Sequence, residues 1–141
     1  MKVGIVGSEA AKFTPLTEQL AREAIRQNLH PGDTVVSGQC HLGGIDVWAV
    51  EEARKLSLEY IEYPPARRQW EGGYKQRNLQ IAHTADRVIC ITVKELPPGF
   101  KGMRFALCYH CNSTDHVKSG GCWTVKQARK LNKPAEVIVV G

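Results

Sequence analysis

The sequence lacks several features that would assign a protein to a class at sight. None of its apolar runs approaches the length of a transmembrane helix, and the apolar stretch after Met1 is too short for a secretory signal. The chain contains no internal repeat and no low-complexity segment. We therefore expect a globular, cytoplasmic protein with no membrane partner.

Two standard nucleotide-binding motifs are also missing. The sequence contains neither the GxGxxG dinucleotide fingerprint nor the Gly-Lys-Ser/Thr that ends a Walker loop. Its net charge of +5 and pI near 9.0 nevertheless favour an anionic partner such as a nucleotide or a nucleic acid. Charge alone does not separate this interpretation from that of an ordinary basic protein.

The cysteines cannot all be paired, because there are five of them. Three lie between Cys108 and Cys122, which in a cytoplasmic protein favours metal binding or free thiols over a disulfide framework. Cys90 lies within an apolar run, and we expect it to be a small buried hydrophobic residue.

The length of 141 residues and the hydrophobic share of 43% are typical of one domain, residues 1–141, with a Cys/His-rich insert at about 94–120. Predicted strands alternate with predicted helices along the chain. This order predicts an α/β fold, a Rossmann-like three-layer sandwich with a mostly parallel sheet of about five strands and helices on both faces. The predicted strands cover 2–6, 34–37, 58–63, 87–93 and 136–140, and the predicted helices cover 13–28, 45–56, 74–85 and 124–131.

A glycine turn between the second predicted strand and the following helix is the organising feature of the sequence. Gly38, Gly43 and Gly44 allow backbone N–H groups to approach an anion, and the helix N-terminus adds partial positive charge. Asp46 either caps this helix or binds a ribose hydroxyl. In a parallel sheet the turn lies at the carboxyl ends of the strands, where ligands bind.

Two further turns reach the same edge of the predicted sheet. Gly72-Gly73 precedes Arg77 and Asn78, and a guanidinium matches the geometry of a phosphate, although Arg77 on a solvated helix face is the alternative. Ser119-Gly120-Gly121 precedes the last helix, where Thr124 either caps the helix or contacts a phosphate.

Five motifs occur in a fixed order along the chain: Gly38-x4-Gly43-Gly44-x-Asp46, Trp70 with Gly72-Gly73, Arg77-Asn78-x2-Ile81, Ala85-Asp86, and Ser119-Gly120-Gly121-x2-Thr124. Together they resemble the SLOG superfamily of Rossmann-like nucleotide-binding domains, which includes the LOG proteins and DNA-processing protein A. The small YspA-like branch is the most similar. The resemblance covers nearly the whole chain apart from the insert at 94–119.

The resemblance implies a nucleotide pocket at the carboxyl edge of the sheet. The residues that it assigns to this pocket are Gly7, Ser8, Gly38, Gly43, Gly44, Asp46, Arg77, Asn78, Gly120, Gly121 and Thr124.

Two departures from the family pattern bear on catalysis. LOG enzymes use a glutamate to cleave an N-glycosidic bond, whereas Gln127 stands at that position here, and a glutamine cannot act as a carboxylate base. Leu42 replaces the arginine that is usual in the YspA-like glycine turn. The remaining catalytic candidates, all weak, are Asp46, Glu51 and His41.

The cysteine-rich insert predicts a metal site. Its spacing, Cys108-x2-Cys111-x4-His116-x5-Cys122, nearly matches that of a zinc knuckle, and thiolate and imidazole ligands suit tetrahedral Zn²⁺. The alternative is a loop with free thiols. Because Cys122 lies in the glycine turn that should face the nucleotide, either the zinc adjoins the pocket or Cys122 is not a ligand.

Three functional hypotheses follow. The first is a protein that binds a nucleotide or nucleotide-derived ligand, with Trp70 and Trp123 either stacking on the base or packing in the core. The second is an N-glycosidic nucleotide hydrolase that uses one of the three catalytic candidates. The third is a zinc-containing nucleic-acid-binding module; it ranks last, since Tyr109 is the only aromatic residue placed like those of a knuckle. A homodimer is possible, because dimers are common in the family.

Overall fold

A computed structural model of the chain describes all of residues 1–141 and contains a single five-stranded sheet. All the strands are parallel, in the spatial order β3-β2-β1-β4-β5. The strands are β1 (Lys2–Gly7), β2 (Thr34–Ser37), β3 (Glu59–Glu62), β4 (Arg87–Val93) and β5 (Ala135–Val140). The helices are α1 (Pro15–Gln27), α2 (Ile45–Lys55), α3 (Lys75–Thr84) and α4 (Gly120–Lys130).

Two helices cover each face of the sheet. Side chains alternate between the two faces along every strand, so a strand that is apolar throughout presents apolar side chains to both pairs of helices. Ile5 on β1 and Ile89 on β4 pack with α1 and α2 in one apolar cluster, whereas Val6 and Cys90 pack with α3 and α4 in the other. Both central strands are therefore buried on both sides. The predicted Rossmann-like three-layer α/β fold is confirmed.

Local signals set several of the element bounds. Thr14 caps α1: its side chain accepts a hydrogen bond from the Thr17 backbone N–H at 3.1 Å, and Pro15 takes the first helical position. Strands β2 and β4 have the predicted bounds.

The last helix begins earlier than predicted. The prediction treated Gly120 and Gly121 as a turn before a helix at 124, but they form the first turn of α4. The physical reason is Ser119, whose side chain accepts a hydrogen bond from the Gly121 N–H at 3.1 Å and thereby caps the helix four residues earlier. No helix combines the length and apolar character that a membrane span requires.

The order of strands places the ligand-binding edge between β1 and β4. The chain runs from β1 outward through β2 to β3, then crosses to β4 on the other side of β1. This reversal creates a crevice at the carboxyl ends of β1 and β4. Residues 94–119, hereafter the insert, connect β4 to α4 above this crevice and contain no helix or strand, only an isolated bridge between Cys108 and Ser113.

Candidate functional site

A cavity of about 630 Å³ opens at the crevice between β1 and β4. Its lining comes from the end of β1, the two segments that precede α2 and α3, the start of α4, and the insert. Its size falls within the range of small-molecule sites. The lining residues are Val6, Gly7, Ser8, Glu9, Lys12, Cys40, Leu42, Asp46, Trp70, Tyr74, Arg77, Asn78, Tyr109, His110, Lys118, Ser119, Gly120, Gly121 and Trp123.

Arg77 is the central charged group of one wall. It lies on the first turn of α3 and is 7% exposed, with Nε donating to Asn78 Oδ1 at 2.8 Å and Nη1 donating to the carbonyl of Gly38. The Nη1 atom also lies 3.5 Å from Asp46 Oδ2. Nη2 has no hydrogen-bond partner within the protein and is not sealed from solvent. Arg77 therefore has a free guanidinium donor on a side chain whose other nitrogens are fixed.

Asp46 ionises with difficulty in this wall. Burial raises its pKa to about 6, although the positive charge of Arg77 and the backbone N–H of Cys40 act in the opposite direction. The carboxyl group does not cap α2, whose N-cap is Gly44. At neutral pH Asp46 is therefore mostly a carboxylate that can accept hydrogen bonds from a ligand.

Two lysines make another side of the cavity cationic. Lys12 follows β1, and its Nζ donates to the backbone carbonyl of Lys118 in the insert at 3.1 Å. Burial lowers the pKa of Lys12, and the charge of Lys118 lowers it further, while Glu9 raises it. Sequence reasoning missed Lys12. Its position just after the first strand, in the same segment as Gly7 and Ser8, is the signal that could have found it.

The N-terminus of α4 completes the polar part of the cavity. Ser119, Gly120 and Gly121 line it, and the backbone at Gly121 approaches β1 so closely that a Cβ there would lie 3.0 Å from the Gly7 nitrogen. A glycine at 121 thus brings the helix N-terminus against the end of β1. Partial positive charge at such a terminus favours an anion.

Aromatic rings form the remaining side of the cavity. The rings of Trp70 and Trp123 meet edge to face with centroids 4.9 Å apart, and those of Tyr109 and His110 lie 4.4 Å apart. Burial and the charges of Lys118 and Lys126 lower the pKa of His110 to about 4, so its ring is uncharged at neutral pH. The cavity therefore combines charged groups with flat apolar surfaces.

The four candidate metal ligands come together beside the cavity. The ligand atoms of Cys108, Cys111, His116 and Cys122 all lie within 4.8 Å of one another, and His116 Nε2 is 3.7 Å from Cys122 Sγ. Ligands at the Zn–S distance of about 2.3 Å in a tetrahedron would be roughly 3.8 Å apart. These four residues, hereafter the Cys3His cluster, could hold a metal ion.

Neighbouring groups set the tautomer of the histidine and the pKa values of the thiols in the Cys3His cluster. Asp115 Oδ1 lies 2.5 Å from His116 Nδ1, and since a carboxylate can only accept, Nδ1 carries the proton and Nε2 is left as a ligand atom. Burial raises the pKa of Cys108, but hydrogen bonds from the N–H groups of Cys111 and Ser119 outweigh this and lower it to about 7. Burial and the neighbouring thiols raise the pKa of Cys111 to about 12, and the contact with Cys90 and burial raise that of Cys122, so these two thiols would release protons when a metal binds. The donor types fit a metal that binds thiolate and imidazole.

The position of Cys122 bears on whether this residue is a metal ligand or faces the nucleotide pocket. Cys122 is fully buried on α4 and points into the Cys3His cluster, with its Sγ 3.9 Å from Cys90 Sγ, while its neighbours Gly121 and Trp123 line the cavity. The cluster and the cavity thus lie on two sides of the same helical turn.

Seven of the residues assigned to the nucleotide pocket line the cavity, and four do not. Gly38 contributes its carbonyl to Arg77, and Gly44 packs against the backbone of Ser8 with a φ of 84° that a side chain would disfavour. Thr124 is fully buried, and its hydroxyl has no hydrogen-bond partner. The seven in the lining are Gly7, Ser8, Asp46, Arg77, Asn78, Gly120 and Gly121, and the four outside it are Gly38, Gly43, Gly44 and Thr124.

The structure separates the catalytic candidates. Asp46 lines the cavity, whereas His41 is exposed outside it and Glu51 pairs with Arg22 at 2.8 Å between α1 and α2. Gln127 does not line the cavity either. Glu9 and Asp46 are therefore its only carboxylates.

Two solved structures share this fold. One is a molybdenum cofactor carrier protein from Chlamydomonas reinhardtii, with a TM-score of 0.62 and 16% identity over 96% of this chain and 74% of that one. The other is DNA processing protein A from Helicobacter pylori, described by its single-stranded DNA binding, with a TM-score of 0.59 and 20% identity over 97% of this chain. This chain spans 64% of the length of the second protein.

These likenesses establish the Rossmann-like fold of the chain, which is the fold that the sequence resemblance implied; at 16% and 20% identity they leave membership of the SLOG superfamily a prediction. The YspA-like branch stays a prediction. No family model matches the chain, and no curated protein matches its sequence.

Proposed function

We propose that the protein binds a nucleotide or nucleotide-derived ligand in the cavity between β1 and β4. The observation that carries this proposal is Arg77, a buried arginine that is held by Gly38, Asn78 and Asp46 and keeps Nη2 free beside a cavity of about 630 Å³. Because Nη2 is open to solvent, an anionic ligand can reach it without breaking the contacts that hold the rest of the guanidinium, and a guanidinium pairs strongly with phosphate.

The distribution of groups in the cavity fits the parts of a nucleotide. Lys12, Lys118 and the N-terminus of α4 favour a phosphate, and Asp46 as a carboxylate accepts hydrogen bonds from ribose hydroxyls. The aromatic side offers Trp70 and Trp123 to a planar ring. The two proteins of similar fold are a molybdenum cofactor carrier and a protein that binds single-stranded DNA, which is consistent with ligand binding by a protein of this fold.

We further propose that the Cys3His cluster holds Zn²⁺. Three thiolates and one imidazole are a common ligand set of structural zinc sites, and Asp115 orients the imidazole from outside. Elemental analysis of protein purified without added metal should give about one zinc per chain, and a Cys108→Ser variant should give much less. Equal, near-zero zinc in both proteins would overturn this assignment.

Calorimetric titration with AMP, GMP, CMP and UMP tests the nucleotide proposal. At least one of these should bind, and Arg77→Ala should weaken its binding by about tenfold or more, because a charge-assisted contact is lost. Arg77→Lys keeps the charge without the planar donor set and should fall between the two. The matched control is Arg68→Ala, an exposed arginine outside the cavity that should leave binding unchanged.

The same samples separate the alternative functions. Chromatography of each nucleotide after incubation should show no free base; released base that disappears in Asp46→Asn would instead support the N-glycosidic hydrolase. Salt-sensitive binding of single-stranded DNA that is lost in an Arg67→Ala, Arg68→Ala double variant, without any mononucleotide binding, would instead support the nucleic-acid module.

A further inference from the structure

The insert has almost no core of its own. Between residues 94 and 118 the only buried side chains are Cys108 and His116, and both belong to the Cys3His cluster. Four of its large apolar side chains are exposed, from Met103 at 75% to Leu107 at 36%, while Phe100 is half-buried and Val117, near the end of the insert, packs against the cluster under α1 and α2. A segment that buries so little apolar surface cannot offset its conformational entropy by packing, so a bound metal is the strongest restraint available to it.

The same insert forms a wall of the cavity. Tyr109, His110 and Lys118 line the cavity, and the Lys118 ammonium lies 5.3 Å from the centre of the Tyr109 ring. Two of these wall residues, Tyr109 and His110, lie between the first two ligands of the cluster in the sequence.

Tyr109 and His110 lie in a tight backbone turn whose hydrogen bonds involve the ligands Cys108 and Cys111. Cys108 and Ser113 exchange backbone hydrogen bonds in both directions, at 2.8 and 3.3 Å, and the Cys111 N–H donates to the Cys108 carbonyl at 3.2 Å. With Cys108 and Cys111 both on one metal, Tyr109 and His110 have little freedom to leave the cavity wall. Without the metal, the turn is held by these few hydrogen bonds and by the contacts of the Tyr109 ring with Phe105 and Lys118.

We propose that metal bound to the Cys3His cluster assembles this wall and thereby sets the affinity of the cavity, with Tyr109 and His110 contacting the planar ring of the ligand. This inference rests on the proposed nucleotide site, and it adds that one wall of that site depends on the metal. The phosphate side depends less on the metal: Arg77 lies on α3, outside the insert, although Lys12 donates to the Lys118 carbonyl and the start of α4 carries the ligand Cys122.

The test compares two probes on the zinc-loaded protein and on variants that remove either the metal or the wall. The probes are the nucleoside monophosphate that binds best and ribose 5-phosphate, which has the sugar and the phosphate but lacks the planar base. Cys111→Ser removes the one exposed ligand, so the fold is least disturbed, and chelation of the wild-type protein removes the metal without any substitution. Tyr109→Ala and His110→Ala keep all four ligands, and His83→Ala, an exposed histidine on α3 outside this cavity, is the matched control.

We expect Cys111→Ser and chelation to lower zinc content and to weaken nucleotide binding by about tenfold or more. Ribose 5-phosphate binding should change much less. Tyr109→Ala and His110→Ala should retain about one zinc and still lose nucleotide affinity, while His83→Ala should change neither quantity. Limited proteolysis should cut within 94–119 after chelation and leave the rest of the chain intact.

The possible failures are distinguishable. If no nucleotide binds the zinc-loaded wild type, the proposed function is wrong and this inference fails with it. If nucleotide binds equally tightly with and without metal, or if Tyr109→Ala and His110→Ala bind like the wild type, the proposed function stands and this inference is overturned.

Discussion

The insert and the α/β body are held together by different physical means. In the body, Ile5, Ile25 and Ile89 are almost completely buried in the apolar cluster on one face of the sheet, and a second cluster covers the other face. In the insert before Ser119, the buried positions are occupied by Cys108 and His116, which can bind a metal. The same chain thus uses hydrophobic burial where regular structure exists and a ligand cluster where it does not.

This difference matters for the candidate site, because the cavity lies where the two regions meet. Arg77, Asp46 and Lys12 come from the body, while Tyr109, His110 and Lys118 come from the insert. The body places its residues through elements that are stable without a ligand, whereas the insert depends on the Cys3His cluster. Ligand affinity should therefore divide into a part that follows the stability of the body and a part that follows the metal.

The largest expected effect on stability comes from removing apolar atoms from the body. Leu29 follows α1, is 8% exposed and packs in the cluster under α1 and α2. We expect Leu29→Ala to lower the free energy of unfolding by about 2–4 kcal/mol, through lost transfer energy and the cavity that is left. Urea unfolding of the zinc-loaded protein measures this change. A loss below about 1 kcal/mol would mean that the body does not rely on this cluster.

A smaller effect should arise from Asp46 at the edge of the body. Its pKa of about 6 in the folded state lies above the ordinary value of 3.8, so the unfolded chain loses this proton first as the pH rises. The free energy of unfolding should consequently decrease between about pH 4 and pH 6, by an amount on the order of 2 kcal/mol.

The measurement is the difference between the wild type and Asp46→Asn across this pH range. The difference is needed because burial of Asp33 and Glu52 is outweighed by their hydrogen bonds, which lower the pKa of both groups and give stability the opposite dependence on pH. A pH-independent difference would mean that Asp46 ionises in the folded protein as easily as in the unfolded chain. Such a result would mean that burial does not disfavour the ionised form of Asp46, and a ligand that hydrogen-bonds to the carboxylate would then offset no cost of burial.

The sequence predicted the body well because hydrophobic periodicity and turn residues are local signals. The pattern from Arg87 to Val93 predicts a strand buried on both faces, and Thr14-Pro15 predicts a helix start. The start of α4 was misplaced because glycines normally indicate a turn, and the capping role of Ser119 depends on the packing of Gly121 against β1. Here tertiary contact outweighed local propensity.

The cavity was only partly predictable, because its lining depends on which loops meet in space. Asp46 and Arg77 were expected at one edge, since both follow glycine turns at the ends of parallel strands. Lys12 was not, because its position depends on the path of the segment between β1 and α1. The pairing of Trp70 with Trp123 likewise joins residues that are distant in the sequence, and no local pattern predicts it.

The smallest expected effect provides the direct counterpart to Leu29. Leu107 is the residue before Cys108 in the insert and is 36% exposed. Leu107→Ala removes the same atoms as Leu29→Ala, yet it removes them from a region with no apolar cluster, so we expect the free energy of unfolding to change by less than about 0.5 kcal/mol. Zinc content should stay the same. If Leu107→Ala instead destabilised the protein as much as Leu29→Ala, the insert would pack as part of the hydrophobic core, and its order would not require the metal.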